Sequence, residues 1–117
     1  MSEQGNCVFC RIVEKQIPAK VAYEDEALLA FHDINPQAPV HLQIIPKRHI
    51  ARVSEATPAD AHLLAQLIFA ANRLARETGI QEVGYRLVFN CNAAAGQSVY
   101  HLHLHLLGGR PMRWPPG

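Results

Sequence analysis

Residues 101–106 read His-Leu-His-Leu-His-Leu, so three of the chain's seven histidines fall within five positions. Successive side chains of a β-strand point to opposite faces, so this alternation predicts His101, His103 and His105 in one row. Leu102, Leu104 and Leu106 would then face the other way, toward a core. A merely solvated row is the weaker reading, because ordinary strand faces draw on Thr, Lys and Glu, with β-branched residues favoured in strands generally. One zinc ion held by all three histidines is also disfavoured. The Cα atoms of His101 and His105 would lie about 13 Å apart at ~3.3 Å per residue, while each ligand nitrogen must come within about 2.1 Å of the metal. Separate tasks suit the spacing better. An imidazole is a nucleophile at neutral pH once one ring nitrogen is bonded to a positioned acceptor. The expected attacker is the central His103, with His101 and His105 at its flanks.

The residues just before this row add to that chemistry. Gly96-Gln97-Ser98 follows Ala93-Ala94-Ala95, and exposed backbone N–H groups in such a loop could hold a phosphate as an anion nest does. The Ser98 hydroxyl could donate to a leaving group. The composition alone would also fit an ordinary hairpin loop; beside three aligned histidines that reading weakens. At the other end of the chain, Cys7-Val8-Phe9-Cys10 has the C-x-x-C spacing of half a zinc site. Two buried unpaired thiols would explain it as well. A thioredoxin-like redox use is disfavoured because no strand precedes the motif. Cys91 has no obvious partner and is expected to pack.

The elements that must position these groups follow from punctuation and periodicity. Residues 7–15 predict a short helix with Val8, Phe9, Ile12 and Val13 on one side, ended by Ile17-Pro18. Val21–Tyr23 and Leu28–Phe31 read as strands joined by the acidic turn Glu24-Asp25-Glu26. Residues 33–39 are a loop by their turn chemistry, and His41–Ile45 is a third strand stopped by Pro46. A long helix begins at Thr57 as N-cap, with Pro58 at its first position and Asp60 in its first turn. Its apolar residues Leu63, Leu64, Leu67, Ile68, Ala71, Leu74 and Ala75 recur at helical spacing, and Gly79 stops it. Residues 84–90 and 99–107 predict two further strands. The expectation is an α+β domain: an antiparallel five-stranded sheet with one long and one short helix.

A chain of 117 residues is enough for one domain, spanning residues 1–117. Eleven basic and ten acidic residues leave a net charge of +1, without the basic stripe of a nucleic-acid platform. No apolar run reaches the roughly 18 residues of a membrane span, and Met1–Asn6 lacks an apolar signal segment. With an odd cysteine count, a reducing, cytoplasmic location is expected. The tail, residues 108–117, is too rich in Gly and Pro for a regular element, yet carries the only tryptophan, Trp114. It is read as docking near a partner subunit.

His101-Leu-His-Leu-His-Leu-Leu107 resembles the signature of the histidine triad (HIT) family, His-φ-His-φ-His-φ-φ with φ hydrophobic. The resemblance extends through Phe31-His32-Asp33-Ile34, Pro36-Gln37-Ala38-Pro39-x-His41, Ile45-Pro46-Lys47-x-His49-Ile50, Gly96-Gln97-Ser98-Val99-Tyr100 and Trp114-Pro-Pro-Gly117. The tail is similar to that of the Hint branch, the purine nucleoside phosphoramidases. What this implies is a HIT-like fold whose sheets join across a homodimer, with a purine nucleotide site in each subunit. His103 would attack the α-phosphorus of a nucleoside 5′-phosphoramidate such as an AMP–amine conjugate, forming a nucleotidyl-histidine that water resolves, with no catalytic cofactor. A dinucleoside polyphosphate hydrolase or nucleotidyl transferase using the same histidine is the alternative, and a nucleotide-binding interaction module a third.

Carried over by motif, Asp33 would accept from the ribose hydroxyls, which an ionised carboxylate can do twice. Phe9, Ile12, Phe31 and Ile34 would border the base, with His32 beside it, and Asn90 would contact ribose or phosphate. Gly96, Gln97 and Ser98 would hold phosphate oxygens. His41 and His105 would orient or stabilise His103, His101 would lie nearer the edge of the site, and Trp114 would reach the other subunit's leaving-group side. Some members of the family hold structural zinc through two cysteines and two histidines; here these would be Cys7, Cys10, His49 and His101. The sequence also departs from its relatives at Ala93–Ala95, where glycines are usual, which bears on the shape of the phosphate loop.

Overall fold

The computed structural model describes residues 6–117. Five strands form one antiparallel sheet in the order β1-β2-β3-β5-β4: β1 Val21–Glu24, β2 Leu28–His32, β3 Val40–Pro46, β4 Tyr85–Val88 and β5 Leu104–Gly108. Two helices accompany it, α1 Val8–Val13 and α2 Ala61–Glu77. The β1–β2 turn closes on Asp25, whose Oδ1 accepts from the backbone N–H groups of Ala27 and Leu28, both at 2.8 Å. Register then follows strictly: Phe31 faces Gln43 across β2–β3, and Gln43 faces His105 across β3–β5.

The period-two alternation splits the core between the two faces of the sheet. Leu28, Ala30, Leu42, Ile44, Leu104 and Leu106 pack against Leu67, Ala71, Leu74 and Ala75 of α2. Leu29, Phe31 and Ile45 face the other way, against Phe9, Cys10 and Ile12 of α1. The leucines of the histidine row thus point to the long helix, and the histidines open on the side of α1. Burying three leucine side chains this way contributes about 1.5–3 kcal/mol each.

Several boundaries differ from the sequence expectation. The long helix is preceded by a separate 3-10 turn, Pro58–Asp60, on which Thr57 and Asp60 form a capping box; the α-helix itself begins at Ala61. It ends at Glu77, and Gly79 follows with φ +80°, the left-handed stop that glycine adopts without a Cβ clash. Ile68, expected on the core stripe, is exposed, and so is Val8 on α1. Pro46 is the last residue of β3 and pairs with Leu28. β4 is shorter than residues 84–90, so Asn90 lies in the following loop. The largest difference concerns β5, which begins at Leu104 and not at Val99. The segment 99–103 leaves the ladder: the Leu102 N–H donates to Ile50 O at 2.6 Å instead of to a neighbouring strand.

The tail carries no regular element, as expected. Arg110 Nε donates to Gln37 O at 2.9 Å, and Arg86 Nη2 donates to Arg113 O at 2.8 Å. Trp114 nevertheless stands 84% exposed in the single chain. Among the described residues, no helix is long and apolar enough to cross a membrane.

Candidate active site

Departure from the ladder gives the three histidines three different surroundings. His103 turns its Nδ1 back onto the carbonyl oxygen of His101, 2.7 Å away. A carbonyl only accepts, so Nδ1 carries the proton and Nε2 keeps its lone pair. His105 is reached from the neighbouring strand: His41 Nε2 lies 2.9 Å from His105 Nδ1 and 3.4 Å from Asp33 Oδ2. The direction of that contact is set at the far side of His41, where the Gln37 N–H donates to His41 Nδ1 at 3.1 Å. His41 Nε2 therefore carries the hydrogen and donates. His105 accepts at Nδ1 and is left with an N–H at Nε2.

Burial pushes His103 and His41 below the ordinary imidazole value, and the Asp33 carboxylate works against that shift in both. His105 falls further, to about 4, through burial first and then its neighbours His103 and His41. At neutral pH all three rings are uncharged, which suits an attacking lone pair on His103.

These rings open on a cavity of about 670 Å³. Phe9, Ile12, Phe31, His32, Asp33 and Ile34 line one part of it, and His41, Asn90, Gly96, Ser98, His103 and His105 the rest. Phe9 packs edge-on against both Phe31 and His103, each with centroids 5.3 Å apart, making an apolar wall beside the imidazole. Ile34 is fully exposed at the mouth. Gly96 has φ +88° and ends the one-turn 3-10 helix Ala93–Ala95, so the alanines close a defined turn.

Three expected site residues do not line the cavity. Gln97 does not line the cavity: its Oε1 accepts from the Asn92 N–H at 2.8 Å, and its Nε2 donates to Ala51 O and Val99 O at 2.9 and 3.1 Å. Its own backbone N–H donates to Asn92 O. It pins the Asn92–Val99 loop from behind. The His101 ring does not line the cavity either; it is completely buried, because the turn at 99–103 drives it under α1. Trp114 also lies outside the cavity lining. Conversely, Gln43 and Gln37 belong to the site without having been singled out. Gln43 stands two residues beyond His41 on one strand, so alternation alone would have placed it on the same face. The contribution of Gln37 is a backbone N–H, for which side-chain types carry no signal.

The buried His101 meets the cysteine motif. Its Nδ1 lies 3.3 Å from Cys7 Sγ and 3.4 Å from Cys10 Sγ. His49 Nδ1 lies 3.2 Å from His101 Nδ1 and 3.3 Å from Cys10 Sγ. A tetrahedral zinc with Zn–S near 2.3 Å and Zn–N near 2.1 Å has ligand–ligand edges of about 3.4–3.8 Å, and the four ligand atoms, 3.2–3.4 Å apart in the contacts above, need to spread only slightly to take it. The tautomer fits too, since His101 Nε2 donates to Pro46 O at 2.7 Å, leaving its Nδ1 lone pair for the cluster. Burial and then the neighbouring Cys7 push the Cys10 thiol up to about 12. A bound dication would have to displace that proton.

A HIT domain profile matches residues 14–112. The chain belongs to the HIT family. A HIT family hydrolase from Legionella pneumophila is 57% identical, with a TM-score of 0.95 over 96% of this chain and all of its own. A HIT family hydrolase from Clostridium thermocellum is 54% identical with a TM-score of 0.90, over 92% of this chain and 94% of its own. A Synechocystis protein described as an uncharacterized HIT-like protein is 51% identical over 94% of this chain and 96% of its own. The HIT fold of these neighbours, a five-stranded antiparallel sheet with one long helix, is the fold found here.

Proposed function

We propose that this HIT protein is a purine nucleoside phosphoramidase of the Hint type, with His103 as nucleophile. One observation carries the reading: the His101 carbonyl fixes the His103 tautomer, leaving the Nε2 lone pair for the cavity that His103 lines. The base sits among Phe9, Ile12, Phe31 and Ile34, beside His32, and covers the exposed Ile34. Asp33 accepts from the ribose, and Asn90 contacts ribose or phosphate.

In the first step His103 Nε2 forms a bond to the α-phosphorus as the P–N bond to the amine breaks. The departing nitrogen takes a proton from the Ser98 hydroxyl side, and the Nε2–H of His105 steadies the phosphoryl oxygens along with the backbone around Gly96. Such donors typically supply about 10²–10³ in rate apiece. In the second step water attacks the same phosphorus and returns a proton to the Ser98 oxygen, the P–N bond to His103 breaks, and nucleoside monophosphate leaves with His103 neutral again. No cofactor enters either step. The relatives from Legionella pneumophila and Clostridium thermocellum, named as hydrolases, and the Trp114-Pro-Pro-Gly117 tail support this reading.

Two further parts complete it. A structural zinc is held by Cys7, Cys10, His49 and His101, and the protein works as a homodimer in a reducing, cytoplasmic setting. β4 is an edge strand, and the exposed Val83 lies near it in a groove of about 840 Å³ shared with Met112 of the tail. Pairing of this edge with a second copy would join the sheets and bring Trp114 toward the partner's site. Turnover of adenosine 5′-phosphoramidates beside dinucleoside polyphosphates tests the substrate class. Preferential phosphoramidate cleavage supports it, polyphosphate cleavage alone moves the enzyme to another branch, and turnover of neither leaves a binding module.

A further inference from the structure

Gln43 is a polar residue inside the nucleotide cavity to which the signature assigns no role. It sits at the centre of β3, opposite Phe31 on one side and His105 on the other. Its Nε2 donates to Asp33 Oδ2 at 2.7 Å, and its Oε1 is buried with no hydrogen-bond donor. Asp33 is bonded on its other oxygen as well, where Oδ1 accepts from the Asn35 N–H at 2.8 Å. His41 Nε2 stands 3.4 Å from the same Oδ2 that Gln43 holds.

We infer that Gln43 sets the selectivity of the site for a cis-diol by holding the Asp33 carboxylate in the orientation that meets both ribose hydroxyls. This rests on the nucleotide reading above. An ionised carboxylate has about four acceptor positions over its two oxygens, and the Gln43 and Asn35 bonds take one on each oxygen. A ribose brings two hydroxyl donors to this corner, and the carboxylate, one position still open on each oxygen, can accept both when it is held in place. The bonds from Gln43 Nε2 and the Asn35 N–H, one to each oxygen, fix the carboxylate plane. A leucine at residue 43 would fill a similar volume and leave that plane free to turn. A 2′-deoxyribose offers a single donor and gains nothing from the second acceptor.

The test is calorimetric titration of AMP and 2′-deoxy-AMP into the purified protein, wild type and Gln43→Leu, with Asp33→Ala and the double variant alongside. Wild type should prefer AMP by about tenfold or more, the scale of one hydrogen bond to a charged or buried group. Gln43→Leu should cut that ratio to about twofold, chiefly by weakening AMP, and should raise KM for a ribonucleoside phosphoramidate more than it lowers kcat. Because Gln43 acts largely through Asp33, the double variant should bind AMP no worse than Asp33→Ala alone. Gln43→Met serves in the same role should the leucine variant melt early. An unchanged AMP preference in a folded residue-43 variant, or full additivity in the double variant, overturns the inference and leaves the nucleotide reading standing. Failure of wild type to bind either nucleotide overturns both.

Discussion

The carbonyl oxygen of His101 accepts the Nδ1–H of His103 at 2.7 Å, while the ring of His101 faces Cys7 and Cys10. One residue therefore serves two sites: its backbone orients the His103 imidazole and its side chain belongs to the Cys/His cluster. The turn at 99–103, which takes these histidines off the sheet ladder, makes the double use feasible.

The Gln37–His41–His105 chain predicts a graded loss of rate. His105→Ala removes the N–H aimed at the phosphoryl group and should lower kcat by about 10²–10³. His41→Ala leaves His105 in place but frees its tautomer, and should cost less, about tenfold. Steady-state kinetics on an adenosine phosphoramidate checks the order; a larger loss in the His41 variant would contradict it.

Burial depresses the histidines of the site, and the sign of the pH effect follows. A ring whose folded value is lower than its unfolded one holds fewer protons when folded, so stability rises with pH between the two values. For His105 that window runs from about 4 to 6.5. Denaturant midpoints should be flat above pH 7 and fall as pH drops through that window. The acid limb of kcat/KM, which reports neutral His103, should lie below the usual imidazole value of about 6.5. A limb above 7 would contradict the assignment.

The Cys/His cluster predicts one zinc per chain and a metal-dependent melting temperature. A strong chelator should lower the melting temperature by more than about 5 °C, an effect of 1 kcal/mol or more for a domain of this size, and added zinc should restore it. Cys10→Ser should abolish the response to chelator. Metal analysis finding no zinc, with no response to added zinc, would mean two buried thiols instead.

Gln97 should behave as a scaffold residue. Gln97→Ala strands the Asn92 N–H and two carbonyls behind the phosphate loop, at a cost of about 1–3 kcal/mol. Urea melts should show that loss together with a fall in kcat/KM. Loss of activity at unchanged stability would instead place Gln97 against substrate.

Much of this was legible in the residues. The leucines of residues 102–106 do face the long helix, and the order of helices and strands follows Pro, Gly and apolar spacing. The fate of the histidine row was not legible. Alternation predicted one continuous strand, but Leu102 bonds to Ile50, and that long-range contact has no local signature. His101 consequently left the row for the cysteines, a placement that the family resemblance implied and strand geometry did not. Gln97 was misplaced because a loop glutamine looks the same whether its amide faces a phosphate or the backbone behind it.

The covalent role of His103 is tested most directly at phosphorus itself. Hydrolysis in ¹⁸O-labelled water of a nucleoside phosphoramidate made chiral at phosphorus by a sulfur substitution gives an isotopically chiral thiophosphate, and its configuration, read by ³¹P NMR after stereospecific phosphorylation, counts the displacements. Two in-line steps through His103 predict overall retention of configuration; inversion would mean that water attacks the substrate directly and that His103 is not the nucleophile.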